Sequence, residues 1–190
     1  MASVNAGGNG HHPDLAGRDG GLALTRLYDE NARDLHRYLA RRLDPATADD
    51  LVAETFLIAW EQRRDYRPEK GSARAWLYGI ATNLVRRHAR NQARAQRAMA
   101  RDGGRTATAE TPDSLAAQRV DASSQARRLA TALAGLRDKE RDALLLVAWA
   151  GLQPVEVAAA LDVPVATIRT RLHRARTTLR GCLAKEDQHD

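Results

Sequence analysis

The sequence predicts an all-α protein of two small helical domains, an N-terminal helical bundle and a C-terminal four-helix helix-turn-helix domain, joined by a flexible linker. Three observations carry that prediction. Apolar residues recur at spacings of three and four in most segments, the period of helices with one buried face. No stretch alternates apolar and polar residues over a useful length, and no internal repeat is present. Near the C-terminus a short apolar helix, a tight turn and an arginine-loaded helix follow one another.

Residues 1–21 are polar and contain glycine and histidine, with no signal-peptide core, and read as a disordered tail in which His11 and His12 are solvated. The first domain is expected over 22–99. Leu22, Leu24, Leu27, Tyr28, Leu35, Tyr38, Leu39 and Leu43 make a long amphipathic helix that ends before Asp44-Pro45. Asp44 is placed to cap the next helix, with Pro45 at its first position and Ala48, Leu51, Val52, Thr55, Phe56 and Ala59 as its apolar stripe. Pro68 and Gly71 interrupt the pattern, so Arg64 to Gly71 reads as a loop. Ser72 then caps a third helix with Trp76, Leu77, Ile80, Ala81 and Leu84 inward.

Periodicity fades after Ala100, and residues 100–122, with Gly103-Gly104 and Pro112, read as the linker. The second domain is expected over 123–183, followed by a tail at 184–190. Ala126, Leu129, Ala130, Leu133 and Leu136 form its first stripe; Asp138 is a candidate cap for a helix carrying Ala143, Leu144, Val147 and Ala148 and stopping at Gly151. Pro154 to Leu161, the turn Asp162-Val163-Pro164 and the helix from Val165 complete the helix-turn-helix.

In that last helix Val165, Ile168, Leu172, Ala175 and Leu179 share a buried face. Ala166, Arg169, Thr170, His173, Arg174 and Thr177 fall on or beside the opposite one, where short or fork-shaped donors reach base edges in a major groove. The pattern points to reading duplex DNA.

Charge agrees with that. The formal net charge is +6, and apart from Lys70, Lys139 and Lys185 the 30 basic residues are arginine, the side chain that binds phosphate and guanine bidentately. Arg86, Arg90, Arg94, Arg97 and Arg101 step by four, four, three and four along one side of the third helix. Like charges at that spacing repel, so the row reads either as a solvated face or as a phosphate-binding one.

The second helix has the opposite character. Asp49, Asp50 and Glu54 surround Leu51 and lie beside Leu57 and Trp60, an acidic and apolar surface better suited to a protein than to DNA. Compensation of the helix dipole accounts for the two aspartates but less well for Glu54. The loop Asp65 to Ser72 leads into Trp76 and Asn83, a mixture able to hold an extruded base by edge hydrogen bonds and stacking. Helical phase with Ile80 and Leu84 also suits Trp76 to the core.

Cys182 stands alone, which rules out a disulfide framework and a cysteine-based zinc site and fits a reducing, cytoplasmic setting. No apolar run reaches membrane-spanning length, so no membrane insertion is expected. The histidines are dispersed and no phosphate-binding glycine loop is present; no catalytic site, metal or cofactor is expected.

Asp49-Asp-Leu-Val-Ala-Glu-Thr-Phe56, Ala75-Trp-Leu-Tyr-Gly-Ile-Ala-Thr-Asn83 and the segment Val163 to Arg176 together resemble the three signature stretches of an extracytoplasmic-function (group 4) sigma factor of the sigma-70 family. The resemblance covers about residues 22 to 183 and implies a sigma factor that directs promoter-specific transcription initiation, recognises minus-ten and minus-thirty-five elements and assists promoter melting. It implies that Asp49, Asp50, Leu51, Glu54, Leu57 and Trp60 dock on the β′ clamp helices of core RNA polymerase, and that the second domain sits on the β flap tip. Lys70, Gly71, Ser72, Trp76, Asn83, Arg87, Arg90 and Arg94 would serve the minus-ten element. Arg169, Thr170, His173 and Arg174 would face the minus-thirty-five element, with Arg171 and Arg176 on phosphates. Promoter DNA and core polymerase are the implied partners, an anti-sigma factor is a possible third, and the protein would be nucleoid-associated in the holoenzyme.

Two features depart from the family pattern. Ala166 stands where many members have glycine, and Gln153-Pro154 replaces a small hydroxyl cap, which predicts a weakly capped first helix of the reading head. The competing reading is a stand-alone helix-turn-helix transcriptional regulator, which needs a dimer surface and palindromic half-sites and leaves the first domain without a role.

Overall fold

The computed structural model describes residues 12–103 and 124–186. Among them are seven α-helices: α1 (Gly20–Ala40), α2 (Pro45–Glu61), α3 (Ala73–Gly103), α4 (Ser124–Ala134), α5 (Asp138–Ala148), α6 (Pro154–Ala160) and α7 (Val165–Glu186), with a 3-10 turn at Arg63–Asp65.

Helices α1, α2 and the first half of α3 pack as a bundle around Leu27, Leu35, Tyr38, Leu39, Leu51, Val52, Phe56, Leu77, Tyr78 and Leu84. Their starts follow from local chemistry. The Asp44 carboxylate accepts the Thr47 N–H at 3.0 Å, with Pro45 in the first turn of α2. Hydrogen bonding from Thr47, its side-chain hydroxyl first and this N–H second, holds the Asp44 pKa below its ordinary value. The Ser72 hydroxyl accepts the Ala75 N–H at 3.2 Å and caps α3. Two inward polar side chains spend their hydrogen bonds within their own helices: Asn31 donates to the Leu27 carbonyl and Thr55 to that of Leu51.

In the second unit Ile168, Leu172 and Ala175 of α7 close on Ala143, Leu145 and Leu146 of α5 and on Val157 and Ala158 of α6. Gly151, at φ 67°, turns the chain from α5 toward α6. Asp162 is the other left-handed residue, at φ 49°, and makes the sharp bend between α6 and α7 that aspartate tolerates better than bulkier residues.

Several expectations change. The segment read as a tail over 1–21 supplies Leu15 to the core, and His12 Nδ1 lies 3.1 Å from the Tyr66 hydroxyl; residues 1–11 lie outside the described residues. Helix α3 runs to Gly103, past the expected start of the linker at 100, and α7 runs to Glu186, into the expected tail over 184–190; 104–123 and 187–190 are not described. The stripe of α5 is rotated: it buries Asp142, Ala143, Leu145 and Leu146, while Ala148 is exposed. Leu22 and Leu129 point outward. Asp138 is the first residue of α5, and Arg137 occupies the cap position. The N-terminus of α6 is better held than Gln153 alone suggests, because the Glu156 carboxylate reaches back to the Gln153 N–H at 2.8 Å.

The largest difference is between the units. The two helical units are present as expected but also pack on each other: α6 lies across α3 and the buried apolar residues of both units form one continuous cluster. Asp142 explains the rotated α5: its carboxylate, 1% exposed, meets Arg42 at 2.7 Å and Arg86 at 2.6 Å, both from the first unit. A buried carboxylate is tolerated when paired and fully hydrogen-bonded in this way.

Candidate functional site

Three surfaces gather the residues singled out by the sequence. The first is the outer face of α2. Asp49 and Asp50 are exposed, Asp49 pairs with His36 at 3.1 Å, and Leu57 and Trp60 are 56% and 40% exposed despite their size. The Arg63 guanidinium stacks 3.9 Å from the Trp60 ring centroid and Tyr28 packs edge-on against Phe56, so the patch is supported from behind. Leu51 does not belong to it. It is 6% exposed and packs in the core, because its position in α2 shares the phase of Ala48, Val52 and Thr55.

The second surface is the loop before α3 and the helix that follows. Lys70, Gly71, Ser72, Trp76 and Asn83 line a cleft of about 250 Å³, floored by Tyr66 and closed from the other side by Ala159, Ala160 and Asp162. Trp76 is half-buried and lies 5.3 Å from the Tyr66 ring, so it serves the core and the cleft together. The Tyr66 hydroxyl donates to the Gly71 carbonyl at 3.2 Å and fixes the loop; burial pushes its pKa up. Asn83 is exposed, as are Arg87, Arg90, Arg94 and Arg97 farther along α3. They do not act as one row. Arg86 is turned inward onto Asp142, and Arg87 reaches across to Glu54 at 3.4 Å, tying the basic helix to the acidic face. The Arg101 side chain lies outside the described residues.

The third surface is α7. Arg169, Thr170, His173, Arg174 and Arg176 are exposed and Arg171 is half-buried, opposite the buried Ile168, Leu172 and Ala175. Thr170 and Thr177 donate back to the Ala166 and His173 carbonyls at 3.0 Å, within their own helix. Ala166 is exposed at the start of this face.

Sequence reasoning missed Arg42, Arg74 and Glu156. Arg74 donates to the Ala150 carbonyl at 2.6 Å, and Glu156 accepts from Ser72 at 3.2 Å. Arg42 also donates to the Tyr38 hydroxyl at 2.8 Å. Burial opposes its charge, but Tyr38 and Asp142 outweigh that and raise its pKa. The bonds of Arg42 to Asp142, Ser72 to Glu156 and Arg74 to Ala150 join residues 76 or more positions apart, beyond the reach of any local spacing rule.

A helix-turn-helix with a polar reading face, beside a second helical unit bearing arginines and an acidic-apolar patch, defines a DNA-binding transcription protein. Residues 27–95 match the family model for sigma-70 region 2 and residues 126–179 that for sigma-70 region 4. The chain is 34% identical over 170 residues to a probable RNA polymerase sigma-C factor of Mycobacterium bovis, covering 86% of this chain and 85% of that one. It is also 34% identical over 160 residues to the extracytoplasmic-function RNA polymerase sigma factor SigL of Mycobacterium tuberculosis, covering 83% and 88%. The chain belongs to the extracytoplasmic-function sigma factors of the sigma-70 family and is an RNA polymerase sigma factor for promoter-specific transcription.

Two solved structures share the fold. CnrH, in complex with the cytosolic domain of CnrY, superposes with a TM-score of 0.62 at 24% identity, covering 90% of this chain and 93% of that one. The sigma factor RpoE of Bartonella quintana, in complex with the anti-sigma factor NepR, gives 0.52 at 21%, covering 88% and 98%. No helix among the described residues is long and apolar enough to cross a membrane.

Proposed function

We infer that the three surfaces divide the work of initiation. The α2 face, with Asp49, Asp50, Glu54, Leu57 and Trp60, docks on the β′ clamp helices of core polymerase, and the second unit rests on the β flap tip. The loop Lys70 to Ser72 with Trp76 and Asn83 captures an unstacked base of the minus-ten element, with Arg87, Arg90 and Arg94 on the strand. Helix α7 reads the minus-thirty-five element through Arg169, Thr170, His173 and Arg174, while Arg171 and Arg176 hold phosphates. Unstacking a base costs a few kcal/mol, offset by stacking and by the cationic helix. The chain acts by binding and carries no catalytic step. It works in the cytoplasm at the nucleoid, and an anti-sigma factor competes for its docking face.

The observation that carries this reading is the exposed aromatic and aliphatic pair Leu57 and Trp60 beside Asp49, Asp50 and Glu54, on a chain that also holds a reading helix. Large apolar groups left in water on an acidic face call for a protein partner. Co-purification with core polymerase, followed by run-off transcription on genomic DNA, tests it. Productive initiation from discrete sites is expected. Operator binding by the free chain as a dimer, with no association with core enzyme, would instead establish the stand-alone regulator.

A further inference from the structure

We propose that the junction of α1, α3 and the end of α5 binds a single phosphate group, free or at the end of a small metabolite, through Arg41, Arg74 and the hydroxyl of Tyr78. The site shares no residue with the three surfaces above and does not depend on the roles assigned to them.

A cleft of about 110 Å³ lies between Asp34, Arg37, Arg41, Arg74, Tyr78 and Trp149. At about 30 Å³ per water molecule it has room for roughly three or four waters, or for one tetrahedral oxyanion. Burial grades it from mouth to floor. Asp34, Arg37 and Arg41 are exposed, Arg74 and Trp149 are half-buried, and Tyr78 is 1% exposed. The Tyr78 hydroxyl has no hydrogen-bond partner among the described residues. Buried hydroxyls are paired as a rule, because an unmade bond leaves the desolvation penalty standing. The ring itself is well supported: Tyr38 packs edge-on at 5.3 Å, and the Arg74 guanidinium lies 5.3 Å from its centroid. Only the oxygen is left over, and it calls for a partner from outside the chain.

Charge says what kind of partner. Three guanidinium groups line the cleft against one carboxylate, Asp34, which pairs with Arg37 at 3.5 Å. Arg41 and Arg74 form no salt bridge among the described residues. Arg37 and Arg41 lie at the end of α1, where cations offset the helix dipole. Arg74 has no such excuse. It is the second residue of α3, where a cation meets the positive end of the dipole. Its bond to the Ala150 carbonyl at 2.6 Å leaves the rest of its fork of N–H donors to spend. Arg41 is held over the Trp149 ring, 5.5 Å from its centroid, so little side-chain freedom remains to be lost on binding. Burial pushes the Tyr78 pKa up against the influence of Arg74, which keeps the hydroxyl a donor. Two guanidinium forks and one O–H suit a phosphate, which offers acceptors on every side and a charge to neutralise. Depth selects among phosphates. One that is free, or attached through a single bond, can bring its oxygens down to the buried hydroxyl; a nucleic-acid phosphate carries a sugar on both sides.

The test titrates the full chain with inorganic phosphate, against potassium chloride of matched ionic strength as the blank. Isothermal titration calorimetry reads binding, and thermal melting reads its linkage to stability. Saturable binding with a dissociation constant below about 1 mM is expected. At phosphate about 100 times that constant, the melting temperature should rise by about 5–10 °C. Arg41→Gln and Tyr78→Phe should each weaken binding about tenfold or more, the loss that follows from removing a hydrogen bond to a charged group. Arg64→Gln, an equal loss of charge at an exposed arginine outside the cleft, should leave it unchanged. Tyr78→Phe separates a binding site from ordinary packing. It deletes only an unpartnered oxygen, so the phosphate-free variant should melt no lower than wild type while its response to phosphate falls. Adenosine 5′-monophosphate distinguishes the two sources: binding tighter than that of inorganic phosphate assigns the site to a phosphorylated metabolite, and equal or weaker binding assigns it to the free ion. Phosphate binding that never saturates, or that is equally strong in wild type, Arg41→Gln and Tyr78→Phe, would overturn the proposal.

Discussion

Helices α3 and α7 carry the same cation and use it differently. On α7 none of Arg169, Arg171, Arg174 and Arg176 forms a salt bridge among the described residues, and all but Arg171 are exposed. On α3, Arg86 is committed to Asp142 and Arg87 to Glu54, while Arg90, Arg94 and Arg97 remain in water. The contrast shows that an arginine row on a helix has no single meaning. What decides its role is the carboxylate that the rest of the chain brings to it, and only the second unit leaves its whole row available.

The sharpest break in the comparison comes from the docking face, which belongs to the first unit alone. Trp60→Ala is expected to weaken core-polymerase binding roughly 30-fold or more, a loss of about 2–4 kcal/mol typical of an interface anchor, with little change in melting temperature. Titration of labelled sigma factor with core enzyme measures it. The equivalent truncation on the other unit, Arg169→Ala, is expected to cost about 1–3 kcal/mol at one promoter position and to relax preference there. Run-off transcription on promoter variants reads that. Arg97→Ala sharpens the distinction, because it should lower the salt slope of DNA binding by about one without altering promoter choice.

Stability gives the smaller effects. Ser72→Ala removes the cap of α3 and should cost about 0.5–2 kcal/mol by thermal melting. Asp44 supplies a pH-dependent counterpart on α2. Its native pKa is lowered by hydrogen bonding from Thr47, so its contribution is present above the unfolded value of about 3.9 and is lost as pH falls through the native value. The melting-temperature difference between wild type and Asp44→Ala should be steady at pH 6–8 and shrink below about pH 4.

Most of the helices were legible because each buries one stripe at helical spacing, and the caps at Asp44 and Ser72 use residue types with one dominant local role. The division of α7 into a buried and an exposed face was legible for the same reason: Ile168, Leu172 and Ala175 define its back. What was hidden depends on contacts between distant positions. In Asp138-Lys-Glu-Arg-Asp142 the last aspartate reads as one more solvated charge, and only its two arginines make it an inward residue. The expected stripe of Ala143, Leu144, Val147 and Ala148 therefore left out Leu145 and Leu146, which are buried. Gly79 held a usable signal, since glycine within a helix costs about 1 kcal/mol against alanine and calls for a close neighbour. Leu51 was misplaced because a motif match ranks residues by resemblance, whereas phase places them.

The bond between Ser72 and Glu156 joins the starts of two helices, since each residue caps its own. Helix beginnings carry partial positive charge, and two of them side by side repel unless an anion stands between. Here that anion is a side chain of the protein. One carboxylate thus neutralises both helix starts at once, and neither can shift without the other losing its counter-charge.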